Sequence, residues 1–185
     1  MQISIDSDLL QRVRKGDRAA IGALFERYHD DIFRYLFYKV GDMHTAEDLT
    51  SEVFLRLIRS LAQRRPEDIQ PQAWLYKIAR NLAIDHYRKR QSMQSVTLEE
   101  NVSSDEVIDD RIEKGLDSRA LYKAVNTLPF EQREVIIMRF INNLPIAEAA
   151  RAMGRSEDAI KGLQRRALIT LRQFLSDRSL PDFEA

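Results

Sequence analysis

The chain is expected to be all-α, with two helical domains joined by a flexible acidic connector. Three observations predict this. Apolar residues recur at three- and four-residue steps through most of the chain, the period of one helix face. Long stretches such as Trp74–Arg90 contain neither Gly nor Pro and are rich in good helix formers. The net charge of zero conceals three blocks. Residues 1–92 hold 16 Lys/Arg and 13 Asp/Glu, residues 93–117 hold 2 and 8, and residues 118–185 hold 11 and 8. Two mildly basic blocks therefore flank an acidic segment, a distribution that keeps nucleic acid open as a partner.

Asp6 or Ser7 is placed to cap a first short helix carrying Leu9, Leu10 and Val13, and Gly16-Asp17 breaks it. Ile21, Leu24, Phe25, Tyr28, Ile32, Phe33 and Leu36 define a strongly amphipathic second helix that ends at Gly41-Asp42. Thr45, with Asp48 three residues on, resembles a capping box for the next helix, AEDLTSEVFLRLIRSL. Its core stripe is Leu49, Val53, Leu57 and Leu61, and Asp48, Glu52 and Arg56 form an i, i+4 ladder on another face. Phe54, Leu55 and Ile58 are apolar outside that stripe. They fit burial against neighbouring helices and a partner surface equally well.

Residues 62–73 contain two prolines and read as a loop. The helix over Trp74–Arg90 follows. Trp74, Ile78 and Leu82, with Leu75 and Ala79 beside them, make its apolar stripe. Lys77, Asn81, Ile84 and Arg88 make a second stripe, with Arg80 next to it and Tyr76 and Tyr87 on its flanks. Positive charge for phosphates together with aromatic rings for bases suits unpaired nucleic acid. A buried amphipathic helix with a solvated basic face fits the same pattern.

Residues 91–117 are acidic and polar, with little helical period before Val107, and read as a tether. Beyond it, Ala120, Leu121, Ala124 and Val125 line one helix, and Pro129 suits the first turn of the next. Asn142-Asn143 stops that helix. Pro145 opens IAEAARAM, Gly154-Arg155-Ser156 makes a turn, and Ser156 can cap a final helix. Two short helices joined by a Gly-containing turn of three residues predict a helix-turn-helix. Its second helix shows Lys161, Gln164, Arg165 and Arg166 outward, with Arg155 at the turn. That set suits a major groove, against the plainer alternative of a three-helix bundle with a basic surface.

The chain has no Cys, which excludes disulfides and thiol-bound zinc and fits a cytoplasmic protein. No apolar run is long enough for a membrane helix, and the N-terminus lacks a signal-peptide layout. His29, His44 and His86 are scattered, and no Gly-rich phosphate loop or nucleophile motif is visible. No cofactor, metal or catalytic residue is therefore expected.

Three segments together resemble the extracytoplasmic-function, or group IV, family of bacterial sigma factors. AEDLTSEVFLRLIRSL is similar to the family's polymerase-binding segment. WLYKIARNLAIDHYRKR is similar to its promoter-melting and minus-10 segment. LPFEQREVIIMRF with IAEAARAMGRSEDAIKGLQRRALITLR is similar to its minus-35 domain. The resemblance implies a sigma-2-like bundle over 1–92, an acidic linker over 93–117, a sigma-4-like helix-turn-helix domain over 118–175 and a tail over 176–185. It implies polymerase docking by Asp48, Glu52, Phe54 and Arg56, on the clamp helices of the largest subunit, with the flap region a further contact. It implies minus-10 contacts by Tyr76, Lys77, Arg80, Asn81, Arg88, Lys89 and Arg90, and minus-35 contacts by Arg155, Ser156, Lys161, Gln164, Arg165 and Arg166. An anti-sigma factor is an implied partner, besides core polymerase and promoter DNA. Ser51, Ala149, Ala159 and Gly162 depart from the family's usual residues. Gly162, inside a helix, should cost about 1 kcal/mol relative to Ala. A conventional helix-turn-helix regulator would explain residues 118–175 equally well, but not the basic helix at 74–90.

Overall fold

The structure, a computed structural model, describes residues 2–61, 63, 70–94 and 116–177. All regular structure among them is helical. The chain divides into two compact units between residues 107 and 108. Most of the expected tether, the middle of the loop at 62–73 and the end of the tail lie outside the described residues.

The first unit contains α1 (Gln2–Arg14), α2 (Arg18–Val40), α3 (Met43–Leu61) and α4 (Pro71–Gln94). Helices α2, α3 and α4 pack on one another, and α1 closes over α2 and α3. Their shared core includes Leu10, Leu24, Ile32, Leu36, Leu57, Leu61 and Leu75, all fully buried. The helix ends follow local chemistry. Asp17 caps α2, its carboxylate accepting from the amides of Ala19 and Ala20 at 2.9 and 3.2 Å. The hydrogen bond from Arg12, with those from the amides, holds the Asp17 carboxyl below the usual range. Gly41 ends α2 with φ 74°, a left-handed conformation that glycine adopts without a Cβ penalty.

Three sequence expectations shift here. Helix α1 begins at Gln2, so Asp6 and Ser7 lie inside it rather than at its cap. Helix α3 begins at Met43, and Asp42 Oδ2 accepts from the Thr45 amide at 2.7 Å. Asp42, not the Thr45/Asp48 pair, supplies the cap. Helix α4 begins at Pro71, whose missing N–H is not needed in a first turn, and continues to Gln94.

The hydrogen bonds from Thr45 to Asp42 depress its carboxyl pKa. A depressed folded pKa contributes stability above the unfolded value, near 4, and loses it as pH falls through the folded value. Asp42→Ala is expected to lower the melting temperature at neutral pH and to flatten the acid limb of the stability curve below about pH 4. A thermal-melt series against pH checks this; parallel acid limbs for the two proteins would contradict it.

The second unit contains α5 (Leu116–Asn126), α6 (Phe130–Ile136), α7 (Ile146–Met153) and α8 (Glu157–Asp177). Helix α6 runs on without a break into one π-turn, Ile137–Ile141, where the Asn142 amide reaches the Ile137 carbonyl at 2.9 Å. Asn143, at φ 54°, then turns the chain. Helices α5, α6 and α7 all pack on α8 around Val125, Leu128, Val135, Ile137, Leu144, Ala149, Ile160 and Ala167. Ala149 and Ala150 are buried, and their small size permits α7 to lie close on α8. Gly154, at φ 64°, ends α7, and its amide and that of Arg155 satisfy the carbonyls of Arg151 and Ala150.

No helix among the described residues is long and apolar enough to cross a membrane.

Candidate protein and nucleic-acid interfaces

On α3, Asp48 and Arg56 are exposed and Glu52 is half-buried. Arg56 Nε donates to Glu52 Oε1 at 2.7 Å, which lowers the Glu52 pKa. Phe54 does not belong to this exposed face. It is 5% exposed, and its ring packs on Phe25 with centroids 4.8 Å apart. The expectation that Phe54 docks a partner is corrected: position 54 faces α2. Leu55, 48% exposed, is the apolar side chain that α3 shows to solvent, and Phe25, 40% exposed, is the ring of that aromatic pair still reachable from outside. Periodicity marked 54, 55 and 58 as apolar outside the stripe, but only the placement of α2 decides which are covered.

On α4, the expected apolar stripe is rotated. Leu75, Tyr76, Ala79, Leu82 and Ala83 are buried, whereas Trp74 and Ile78 lie at the margin. Tyr76 is 1% exposed, and its ring meets Tyr35 edge-on at 5.4 Å. Tyr76 therefore cannot stack on a nucleic-acid base, and that expectation is corrected. Tyr87 is pinned as well, its hydroxyl donating to the Lys39 carbonyl. The basic face itself is present. Lys77, Asn81, Arg88, Lys89 and Arg90 are exposed, and Arg80 is half-buried. Trp74 is the aromatic group that joins this face. Its indole donates to Ser60 at 3.3 Å, and the Lys77 ammonium lies 5.2 Å from its ring centroid. Towards the end of α4, burial first and then the charges of Arg90 and Lys89 push His86 below its usual pKa, outweighing the pull of Asp42. That end of the helix is electropositive.

In the second unit, α7, the turn Gly154–Ser156 and α8 form the helix-turn-helix. Ser156 Oγ accepts from the Ala159 amide at 3.2 Å, so its side chain caps α8. Arg155 is tied to Glu131 of α6 at 2.7 Å, and Lys161 to Asp158 at 3.1 Å. Gln164 is half-buried and accepts from Arg139 Nε at 3.4 Å. Arg139 was not singled out by sequence; it lies in the π-turn and also donates to the Leu144 carbonyl, tying the start of α7 to α8. Arg165 and Arg166 are exposed and make no ion pair among the described residues. Pairs such as Arg155–Glu131 and Lys161–Asp158, with at least one partner exposed, contribute little to stability.

A Cβ built on Gly162 would meet only Arg166 Nη1, at an ordinary 3.7 Å. Packing within the unit therefore does not require glycine there. Gly162→Ala is expected to stabilise the second unit by about 1 kcal/mol, read as a higher denaturation midpoint; an unchanged or lower midpoint would contradict it.

Comparison with known proteins agrees with this fold. A family model for Sigma-70 region 2 matches residues 24–93, and one for Sigma-70 region 4 matches residues 118–174. The chain is 40% identical over 173 residues to the ECF RNA polymerase sigma factor BldN of Streptomyces coelicolor, covering 92% of this chain and 66% of that protein. It is 33% identical over 159 residues to the ECF sigma factor SigX of Bacillus subtilis, covering 82% and 81%. The solved structure of CnrH in complex with the cytosolic domain of CnrY is similar in fold, with a TM-score of 0.74 at 23% identity over 94% of this chain and 99% of that one. Two matched helical units in order, with relatives of this similarity, identify the chain as a member of the extracytoplasmic-function family of RNA polymerase sigma factors, non-catalytic subunits that direct the core enzyme to promoters.

Proposed function

We propose that the two units divide promoter recognition between them. Residues 1–92 dock on core polymerase and hold the opened minus-10 region, residues 93–117 are the connector, residues 118–175 read the minus-35 duplex and residues 176–185 form a tail. Asp48, Glu52 and Arg56, with Leu55 beside them, meet the clamp helices of the largest subunit, and the flap region is a further polymerase contact. Lys77, Arg80, Asn81, Arg88, Lys89 and Arg90 hold the unpaired strand and its upstream phosphates. A flipped base has lost its stacking, and Asn81 offers an exposed amide to such a base edge. Arg155 and Ser156 on the turn, with Lys161, Gln164, Arg165 and Arg166 on α8, line the major-groove side of the motif. The observation that carries this reading is the exposed Lys161, Arg165 and Arg166 on the second helix of a helix-turn-helix. The protein acts in the cytoplasm under an anti-sigma factor; the similar CnrH, solved with the cytosolic domain of CnrY, supports a protein partner.

The test is transcription by purified core polymerase, with and without this protein, on a pool of random upstream sequences whose products are sequenced. Enrichment of two short elements at fixed spacing is expected. No protein-dependent initiation would overturn the reading. Asn81→Ala is expected to slow strand opening on the selected promoter while leaving closed-complex binding intact. Opening at the original rate would remove Asn81 from the site.

A further inference from the structure

We infer that Glu131 restrains Arg155, so that the turn of the helix-turn-helix grips a DNA phosphate only when the phosphate displaces this carboxylate. The inference rests on the minus-35 reading of α8 and adds to it a residue outside the motif. Arg155 precedes the Ser156 cap of α8, at the end of the helix where backbone amides favour an anion. Its guanidinium does not point freely at that space. It is held 2.7 Å from Glu131 Oε2, a carboxylate on a different helix. Glu131 lies in the first turn of α6, where the positive end of that helix suits a negative charge. Both side chains are partly exposed, at 47% and 33%. The Arg155 guanidinium is the more exposed partner and can swing out to solvent, while Glu131 stays at its own helix end, where its charge is favoured.

The surroundings increase the effect. Glu157 and Asp158 occupy the first turn of α8. With Glu131 they set three carboxylates near the turn against Arg155 and Lys161, and Lys161 is itself held by Asp158 at 3.1 Å. An approaching phosphate therefore meets little free positive charge at the turn until the Glu131 pair opens. By contrast, Arg165 and Arg166, further along α8, have no carboxylate partner among the described residues. Sequence-independent attraction then comes mainly from the middle of α8, and the turn adds its contact only once the helix is docked. Glu131 in this way lowers affinity for DNA in general without touching a base.

The experiment measures affinity for random-sequence duplex against salt concentration, using holoenzyme assembled from the full chain and core polymerase. Glu131→Gln, which keeps the shape and removes the charge, is expected to tighten binding about two- to fivefold at low salt. The slope of log affinity against log salt is expected to steepen by about 0.9, the value of one additional phosphate contact. The same substitution in an Arg155→Ala background is expected to change neither quantity. Glu131→Ala should behave as Glu131→Gln does, which separates loss of charge from any new contact of the amide. Unchanged or weaker binding by both Glu131 variants would overturn the inference, since the carboxylate would then be orienting Arg155 or standing apart from DNA. An equal gain in the Arg155→Ala background would overturn it too, by showing a general charge effect. If the wild-type holoenzyme selects no upstream duplex element at all, the minus-35 reading fails, and this inference fails with it. Selection of an element with no response to Glu131 leaves that reading standing and removes only the restraint.

Discussion

Tyr76→Ala is expected to destabilise the first unit strongly rather than to weaken a contact with DNA. The ring is 1% exposed, lies between α4 and α2 and meets Tyr35 edge-on. Truncating a buried aromatic side chain removes its transfer free energy and leaves a cavity, together about 3–5 kcal/mol. Small domains are stable by only about 5–15 kcal/mol. The loss is therefore a large fraction of the total, and the variant should show a much lower denaturant midpoint with the first unit melting early. Core polymerase binding and strand opening should fall together, because α4 loses its packing on α2 and the unit that carries both surfaces loosens. A variant of wild-type stability with a selective defect in strand opening would show instead that Tyr76 turns out to meet a base.

Removing the charges of Arg88, Lys89 and Arg90 together is expected to have the opposite signature: little change in stability and a large change in salt dependence. All three are exposed, and none is in an ion pair among the described residues. Each phosphate contact contributes about 0.7 to the log–log salt slope on a single strand and about 0.9 on duplex. The triple alanine variant should therefore flatten the slope by about 2.1 if these residues track unpaired DNA, or by roughly 2.7 if they grip upstream duplex. Holoenzyme affinity for a promoter fragment with a pre-opened bubble, titrated against salt, gives the number. An unchanged slope would remove this end of α4 from the interface. The same variant should raise the His86 pKa, since Arg90 and Lys89 help to depress it; a proton NMR titration of the imidazole reads that shift.

Much of the fold was legible before any coordinates. Leu24, Ile32 and Leu36 on α2, Val53, Leu57 and Leu61 on α3, and Ile160 and Ala167 on α8 all face the core as their spacing predicts. These positions are legible because a helix converts sequence spacing directly into a face. The turn residues were legible for a similar reason: Gly41 and Gly154 have positive φ, which favours glycine. Two of the misreadings share an origin. Tyr76 and Phe54 are apolar or amphipathic residues at the edge of a stripe, and periodicity cannot say which edge a neighbouring helix covers. The Gly41-Asp42 pair marks the end of α2 in sequence, yet Asp42 also caps α3, because a cap is defined by where its carboxylate points. The π-turn at Ile137–Ile141 left no sign in the apolar pattern.

The charged residues divide in the same way. The basic character of α4 and α8 is a property of composition and period, and so was the expectation of a nucleic-acid partner. Which of those charges is available is a property of packing across helices. Arg155 meets Glu131 from twenty-four positions earlier, and Gln164 meets Arg139 from twenty-five positions earlier. Sequence by itself determined the helices, the apolar faces of α2 and α3, the helix-turn-helix and the family. Only the tertiary structure decided that Tyr76 and Phe54 are core, that Leu55 and Trp74 reach the exposed faces, and that Arg155 is held. The reason is physical: helical period is a local property of the backbone, whereas burial and ion pairing depend on segments far apart in the chain that meet only when the helices pack.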